Sequence, residues 1–503
     1  MRLRAVSALP AVITVLAALS LSASPASAQG ERGYEQNPEN ETSPKTASEP
    51  ATDDAGFSCI TTREAKPAEW SHVQVDPTDY FEPEEIHEWG SYARSRRAIS
   101  LAAIFLSIFL YSIFVFTQAG KAVHSFASNI TCGLGNLALL QTRPAERISA
   151  ALSRLFGSDW APALVFTWLF LFIVTVCILP LQLAAEYLAQ SAGISVYTTA
   201  AWIWDFAKRL LLNTASYTCI VLGLFGLVRR MPRRWWLALG LPAALCLVAW
   251  GAVSPYQARI FYEFSPLADD ALHSRFEALA QRQGLTLADV QVIDASRHTR
   301  GINAYFTGLG PSRELVLYDT LIEALKPEEM EAALAHELGH VERENPILRY
   351  LLSALVLVGL LWMLSRVLLA AAPRLGLDGP GDPRALPLLL LVVTLCFLAA
   401  RPAERAWLRH EERLADRTGL ALTGDPDAFV RMLTAVGRHN RADVDPPSWA
   451  VFWFATHPPL VERIGMALWY AQWLQECSGK KTAEEVGGSV GSDNEEAITS
   501  GSR

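Results

Sequence analysis

The chain has 503 residues, of which 51% are hydrophobic and 19% charged, and its formal net charge is −8 at pH 7. With a positive mean hydropathy, this is not the composition of an ordinary soluble protein. The acidic balance and the lack of a long basic run exclude a nucleic-acid-binding surface, so we predict no nucleic-acid partner.

Residues 1–28 are typical of a secretory signal peptide or a retained membrane anchor. Arg2 and Arg4 precede an apolar core that ends in Ala-Ser-Ala at 26–28. The core is short for a span, which favours cleavage, and the small-residue end favours a bacterial source. We therefore predict a protein of the bacterial inner (cytoplasmic) membrane. The polar composition of 29–75 predicts a disordered linker.

Six apolar segments are each long enough, or nearly so, to cross a membrane as a helix. Four of them form an N-terminal membrane region at 76–254, and the last two form a hairpin at 350–400. The segments are 98–118, 161–185, 208–228, 235–254, 350–371 and 385–400. A charged helix at 80–97 leads into the first. We predict a mainly α fold, a multi-spanning helical bundle in a lipid bilayer, with six spans, or seven if the N-terminal segment is retained.

The distribution of basic residues orients the bundle. Arginines are concentrated in the linkers 119–160, 229–234 and 372–384, which share one side if the spans alternate. The positive-inside rule makes that side cytoplasmic. The globular regions 255–349 and 401–476 then face the periplasm.

These two globular regions are expected to form a small α+β domain. A helix is predicted at 268–283 from its apolar spacing. Short strands are predicted at 290–293, 304–307 and 314–318. The Gly-, Ser- and Glu-rich tail 477–503 is predicted to be disordered, and a disulfide between Cys59 and Cys477 is a hypothesis.

Residues 336–340 read His-Glu-Leu-Gly-His, the pattern H-E-x-x-H. Positions four apart lie on one face of a helix, so His336 and His340 can present two imidazoles to one ion. Imidazole suits Zn²⁺, which in catalytic sites takes three protein ligands and keeps one position for water. Glu337 is placed to accept a proton from that water. We predict one catalytic Zn²⁺ per chain.

A third ligand must come from elsewhere in the chain. The hairpin at 350–400 returns the chain to the side of the histidines, and an acidic segment follows directly. Glu412 and Asp416 are four residues apart on one helical face. Glu412 could therefore bind the metal while Asp416 accepts the distal N–H of a ligand histidine. The spacing alone does not separate Glu412 from its acidic neighbours, although for Glu411 we favour a solvated helical face.

Taken together, the motifs resemble those of the type I CAAX prenyl protease family, which are integral-membrane zinc metallopeptidases of the gluzincin kind. The resemblance covers about 255–470 closely. It rests on the blocks 303–308, 316–321, 336–340, 412–416 (E-x-x-A-D) and 457–464 (H-P-x-x-E-R). It implies that His336, His340 and Glu412 bind zinc, that Glu337 is the general base, and that Asp416 supports a ligand.

The same resemblance implies a peptide-binding edge strand formed by Asn303, Ala304, Tyr305 and Phe306. An extended peptide could align on such a strand by main-chain hydrogen bonds. His457, Asn303 and Arg463 are expected near the reacting peptide, where a His or Asn could stabilise the oxyanion. The alternatives are a packing role for His457 and an ordinary ion pair with a carboxylate for Arg463.

We therefore predict a membrane-embedded zinc metalloendopeptidase of the CAAX prenyl protease type, with peptide or protein substrates. Residues 300–302 depart from the family's polar lead-in, and an outward-facing site does not suit a prenylated cytosolic substrate. A membrane or periplasmic quality-control protease is the first alternative. A non-catalytic zinc scaffold and a transporter are the others. The sequence predicts no oligomeric state.

Overall fold

The computed structural model describes residues 71–135, 142–156, 159–240, 242–245, 258–259, 261–307, 314–343 and 346–491. The signal or anchor segment, residues 29–70 of the predicted linker and residues 492–503 lie outside these ranges. Cys59 lies outside them too, so its pairing with Cys477 stays a prediction.

The N-terminal membrane region is helical. Its helices are α1 (Pro83–Phe116), α2 (Ala119–Gly135), α3 (Arg143–Phe156), α4 (Trp160–Ser191) and α5 (Thr199–Arg230). Helices α1, α4 and α5 are long and apolar enough to cross a membrane. The charged segment and the first predicted span form the single helix α1, because no proline interrupts it after its first residue.

Two features of this region differ from the sequence-based expectation. Helices α2 and α3 occupy the segment 119–160, for which only a linker was predicted. The fourth predicted span, 235–254, is represented by a shorter apolar helix over Trp235–Leu245, and residues 246–254 lie outside the described part of the chain.

The first globular region, which follows the N-terminal membrane region, contains a four-stranded sheet. Its strands are β1 (Phe264–Pro266), β2 (Asp289–Ile293), β3 (Ala304–Thr307) and β4 (Glu314–Tyr318), in the order β1-β2-β4-β3. Strands β2 and β4 are parallel, and the other two pairs are antiparallel. The three predicted strands are confirmed, as is the predicted helix, now α6 (Asp270–Arg282). Strand β1 was missed because it has only three residues and ends in proline.

Two helices follow the sheet, α7 (Asp319–Ala324) and α8 (Pro327–Arg343). Helix α8 carries the H-E-x-x-H pattern, and Pro327, Glu328 and Glu329 form its first turn. Its Ala335 and Leu338 are fully buried in the same apolar core as the sheet. This packing fixes which face of α8 turns away from the sheet.

A hairpin comes next, formed by α9 (Pro346–Ala371) and α10 (Leu386–Thr423). Both contain candidate spans, which makes five among the described residues. Helix α10 is 38 residues long and continues through Pro402. The last predicted span and the acidic segment with Glu412 are therefore one helix, so Glu412 stands on the extension of a membrane helix.

The chain ends in α11 (Pro426–His439), α12 (Ser448–Phe454) and α13 (Leu460–Gly491). Helix α13 enters the segment 477–503 that was predicted to be disordered, and the backbone is helical there as far as Gly491. Lysines, glutamates and alanine between 480 and 485 are good helix formers, which accounts for the continuation.

Three linkers meet at one end of the bundle. Arg229 Nε donates to the carbonyl oxygen of Gly381 at 2.9 Å, and Arg229 Nη2 donates to Asp159 Oδ2 at 2.6 Å. These contacts join the linkers 119–160, 229–234 and 372–384. The three arginine-bearing linkers therefore share one side, as alternating spans require.

Candidate metal centre

The site is built where α8 crosses α10. A Cβ atom on Gly339 would lie 2.8 Å from the carbonyl oxygen and 2.9 Å from the Cα of Ala415, and one on Gly419 would lie 3.0 Å from the backbone nitrogen of His336. Any larger side chain at either glycine would meet backbone that cannot rotate away. The two glycines let the backbones approach closely and so bring Glu412 to the histidines.

Three metal-ligating side chains converge at this crossing. His336 Nε2 lies 3.3 Å from Glu412 Oε2, and His340 Nε2 lies 3.4 Å from Glu412 Oε1. The imidazole rings are 4.9 Å apart and nearly perpendicular. His336 and Glu412 are buried. Among the described residues, this is the one group of three His, Cys, Asp or Glu side chains that could hold a metal ion.

The donor set fits a zinc-type ion. With metal–ligand distances of about 2.0–2.1 Å, neighbouring donors of a tetrahedral site lie roughly 3.3–3.4 Å apart. Each histidine Nε2 lies at about that distance from one oxygen of the Glu412 carboxylate, His336 from Oε2 and His340 from Oε1. Two neutral imidazoles and one carboxylate are also the ligand set of catalytic sites that keep a position for water. The residues present therefore fit a bound metal.

Asp416 supports the first histidine. Its Oδ1 lies 2.6 Å from His336 Nδ1, and the side chain is completely buried. A carboxylate on Nδ1 keeps the proton there and leaves Nε2, the atom that faces Glu412, as the lone-pair donor. One helical turn of α10 thus supplies both Glu412 and the group that orients His336.

Arg463, near the start of α13, pairs with Asp416. Its Nε donates to Asp416 Oδ2 at 2.8 Å and its Nη2 to Oδ1 at 2.6 Å. Burial would lower the pKa of this guanidinium, but the charge and hydrogen bonds of Asp416 outweigh burial and raise it. These contacts are with Asp416, and a role of Arg463 toward the reacting peptide stays a prediction. Arg463 lies on the Nδ1 side of His336, and the ion-pair alternative describes it.

His457 reaches the site from the turn between α12 and α13. Its Nε2 lies 3.2 Å from Glu412 Oε2, and its Nδ1 lies 2.8 Å from Thr456 Oγ1. The ring is therefore oriented by a hydroxyl on one side while the other nitrogen faces the donor atoms. Glu337, directly after His336, is 7% exposed.

Three of the predicted peptide-binding residues, Ala304, Tyr305 and Phe306, lie on β3, and Asn303 directly precedes it. Strand β3 is an edge strand of the sheet and packs beside α8. The side chains of Ala304 and Tyr305 are buried in the apolar core, so β3 offers a peptide chiefly its backbone groups. The Asn303 carbonyl oxygen accepts a hydrogen bond from the Tyr318 N–H at 3.0 Å. Because pairs alternate along an antiparallel ladder, the backbone groups of Ala304 and Phe306 point to the open edge. Asn303 itself is 7% exposed, with Nδ2 buried and lacking a hydrogen-bond partner.

Several supporting residues were not found from the sequence, namely Gly339, Gly419, Thr456 and Asn440. The glycines carried a usable signal, since a glycine inside a helix costs about 1 kcal/mol relative to alanine and so implies a packing reason. No sequence signal indicated Asn440, which hydrogen-bonds the backbone of Ile302 just before β3.

Substituting Gly339→Ala should separate the two helices and reduce bound metal to well below one ion per chain. Overpacking of this kind costs about 1–3 kcal/mol, and Ala415 backbone cannot move aside cheaply. Elemental analysis and thermal unfolding of the purified protein test this. Gly223→Ala is the control, because no atom lies within 4 Å of its added Cβ. Equal metal content and melting temperature in both variants would contradict the crossing argument.

Comparisons with known proteins agree with this geometry. The model of peptidase family M48 matches residues 266–468, and a model described as CAAX prenyl protease N-terminal, five membrane helices, matches 71–257. The second describes one helix more than the four spans predicted for that region. A Bacillus subtilis protein named Uncharacterized metalloprotease YhfN is 25% identical over 407 residues, covering 78% of this chain and 87% of the relative.

Other relatives match shorter stretches. CAAX prenyl protease 1 of Saccharomyces cerevisiae is 31% identical over 191 residues, 37% of this chain and 42% of that protein. A protein named Protease HtpX homolog from Acaryochloris marina is 28% identical over 261 residues, 48% of this chain and 86% of the relative. The crystal structure of S. mikatae Ste24p has the same fold, with a TM-score of 0.65 at 22% identity over 79% of this chain and 92% of that one.

The fold and the site define a multi-pass membrane metalloprotease. Its metal-binding geometry lies at the crossing of a soluble-domain helix and the extension of a membrane helix. With the two family models and the relatives above, the chain belongs to peptidase family M48 and, within it, to the CAAX prenyl protease family.

Proposed function

We propose that this protein is a zinc endopeptidase in which His336, His340 and Glu412 hold one Zn²⁺. The observation that supports the proposal is the close approach of the His336, His340 and Glu412 side chains beside a fully buried Asp416. Asp416 fixes the orientation of His336, and Arg463 neutralises Asp416, so both act as positioning residues.

When bound, zinc polarises a peptide carbonyl and acidifies a water molecule. The Glu337 carboxylate accepts the proton of the attacking water and passes it to the leaving amine. His457, whose Nδ1 contacts the Thr456 hydroxyl, is oriented to donate from Nε2 to the carbonyl oxygen as negative charge develops. Asn303 Nδ2 is a further donor, beside the strand that would hold the substrate.

The open edge of β3 supports an extended peptide as substrate. The outward-pointing backbone groups of Ala304 and Phe306 can pair with a peptide strand without using side chains. Such backbone pairing selects a peptide for its extended conformation more than for its amino-acid sequence. The proposal is therefore an endopeptidase that binds a peptide as an additional strand.

We propose CAAX-type cleavage near a carboxyl terminus as the first substrate class, since CAAX prenyl protease 1 is among the relatives. Cleavage of misfolded membrane or exported proteins is the second candidate. It is favoured by the side on which the arginine-bearing linkers meet, because the positive-inside rule makes that side cytoplasmic and turns the metal centre outward. The proposed location is accordingly a bacterial cytoplasmic membrane with a periplasmic site.

Removing the metal should abolish turnover. We expect purified protein to cleave a farnesylated CAAX peptide or an unfolded polypeptide, to lose all activity on dialysis against 1,10-phenanthroline, and to recover it with stoichiometric Zn²⁺. Elemental analysis and peptide mass spectrometry provide the measurements. Bound zinc without turnover of either probe would instead favour the zinc scaffold.

The orientation has a separate test. A cysteine placed at the exposed Trp407 on α10 should react with a membrane-impermeant maleimide in intact spheroplasts, in a background lacking the native cysteines. A second cysteine at the exposed Arg233 should react only after lysis. The opposite pattern would place the site in the cytoplasm and favour the CAAX-type substrate.

A further inference from the structure

A buried polar cluster outside the metal centre joins the membrane bundle to the peptidase region. Tyr197 lies in the turn between α4 and α5, Asp205 lies near the start of α5, and His298 lies in the loop before β3. Asp205 is 4% exposed and His298 is 6% exposed. The proposed reaction uses none of the three, so their burial needs another reason.

The three side chains form one hydrogen-bonded chain. The Tyr197 hydroxyl donates to Asp205 Oδ2 at 3.0 Å, and His298 Nδ1 contacts the same hydroxyl. A hydroxyl has a single proton, so if it goes to Asp205 then His298 Nδ1–H donates to the Tyr197 oxygen. Lys208 Nζ lies 2.6 Å from Asp205 Oδ1 and balances the buried carboxylate.

The protonation states of Tyr197 and His298 favour this arrangement. Burial raises the pKa of the Tyr197 phenol, and the nearby Asp205 charge raises it further. Burial lowers the pKa of His298 more than Asp205 raises it. Both groups are therefore neutral hydrogen-bonding partners near neutral pH.

The backbone reinforces the same junction. Ser195 and Thr299 form an antiparallel bridge, and the Val196 N–H donates to the His298 carbonyl oxygen at 3.4 Å. The turn at 192–198 thus acts as a short strand beside the loop that leads to β3. This turn connects two membrane helices, so the contact is between the bundle and the substrate-binding side of the peptidase region.

The loop between His298 and β3 is hydrogen-bonded to other elements at Gly301, Ile302 and Asn303. The Gly301 carbonyl oxygen accepts from Thr320 Oγ1 at 2.8 Å. Ile302 pairs through both backbone groups with the Asn440 amide, at 3.1 and 3.2 Å. The Asn303 carbonyl oxygen accepts from the Tyr318 N–H. The contacts of His298 and these three contacts together hold the segment 298–303, so loss of the His298 contacts should loosen the segment that leads to the open edge of β3.

We propose that Tyr197, Asp205 and His298 are positioning residues that hold β3 in register for peptide binding. The membrane helices α4 and α5 then set the affinity of the site for its substrate. This inference rests on the proposed function, because β3 is the proposed peptide-binding edge.

Tyr197→Phe tests the inference by removing one hydroxyl while keeping the ring, which stacks edge-on against His298. In full-length zinc-loaded protein in nanodiscs, we expect amide hydrogen exchange of residues 299–307 to rise about 10-fold, KM for the cleaved peptide to rise about 10-fold, and kcat to change less than about 2-fold. Tyr217→Phe, a buried tyrosine elsewhere in α5, is the matched control and should leave all three unchanged.

His298→Gln keeps the inference falsifiable if the first variant folds poorly. The Tyr197 and His298 side chains share one hydrogen bond. In the double variant Tyr197→Phe, His298→Gln, the rise in amide exchange and in KM should therefore be no larger than in the more affected single variant. Unchanged exchange at 299–307 in folded variants, or a loss confined to kcat, would overturn the inference. Wild-type protein that cleaves no peptide would refute the proposed function instead, and the exchange measurement would still decide the positioning role.

Discussion

Glu337→Gln should lower kcat by about 10³–10⁴ while the protein keeps one zinc per chain. Glutamine has the shape of glutamate but cannot accept the proton of the attacking water. The neighbouring donor atoms of His336, His340 and Glu412 are left in place, so metal binding should persist. Single-turnover cleavage of the peptide probe and elemental analysis of the same preparation measure the two quantities together.

Glu411→Gln is the matched control for this substitution. It makes the same chemical change one residue before Glu412, at a position for which the sequence favoured a solvated helical face. We expect activity within about 2-fold of wild type, as for most surface substitutions. If Glu337→Gln retained comparable activity, another group would have to act as the base.

The H-E-x-x-H helix and its chemistry could be predicted because they are local. Residues 336–340 specify two imidazoles four positions apart, and the helix that presents them has its own start signal at Pro327. The strands at 304–307 and 314–318 were predicted for the same reason, since each is a short apolar segment between turn residues. In each case the relevant residues are neighbours along the chain.

The approach of Glu412 and Asp416 to His336, which is distant from them along the chain, could be predicted only in outline. A hairpin of two spans returns the chain to the same side, which is a topological argument and requires no distances. It indicated that Glu412 and Asp416 could face His336 but not which acid would do so. The choice depends on the rotation of α10 against α8, and Gly339 and Gly419 set that rotation by allowing backbone contact. The pattern of apolar residues in the sequence does not indicate this backbone contact between the two helices.

The sequence was least informative where polar groups satisfy one another across the fold. Arg463 and Asp416 are 47 residues apart, and Tyr197 and His298 are 101 apart. No periodicity links such pairs. Helices α2 and α3 are not predicted from the apolar segments, which mark 119–160 only as the connection between two spans, although α3 is amphipathic.

Arg463→Met should destabilise the protein by about 3–5 kcal/mol, because it leaves the Asp416 carboxylate buried without its cation. Asp416 is completely buried, and its other partner, the His336 imidazole, is neutral when it binds metal. We also expect zinc affinity to fall about 10–100-fold, since Asp416 would no longer be fixed for orienting His336. Thermal unfolding and competition with a chromophoric chelator give the two values.

Arg413→Met provides the contrast, since the ion pair of Arg413 with Glu462 is partly exposed. Losing it should cost no more than about 1 kcal/mol and leave zinc affinity unchanged. In the double variant Arg463→Met, Asp416→Leu the unpaired charge is gone, so part of the lost stability should return while zinc affinity stays low. If stability and affinity recovered together, the Asp416–Arg463 pair would serve packing alone. Recovery of stability without affinity would separate the two roles, because only the second requires a carboxylate on His336 Nδ1.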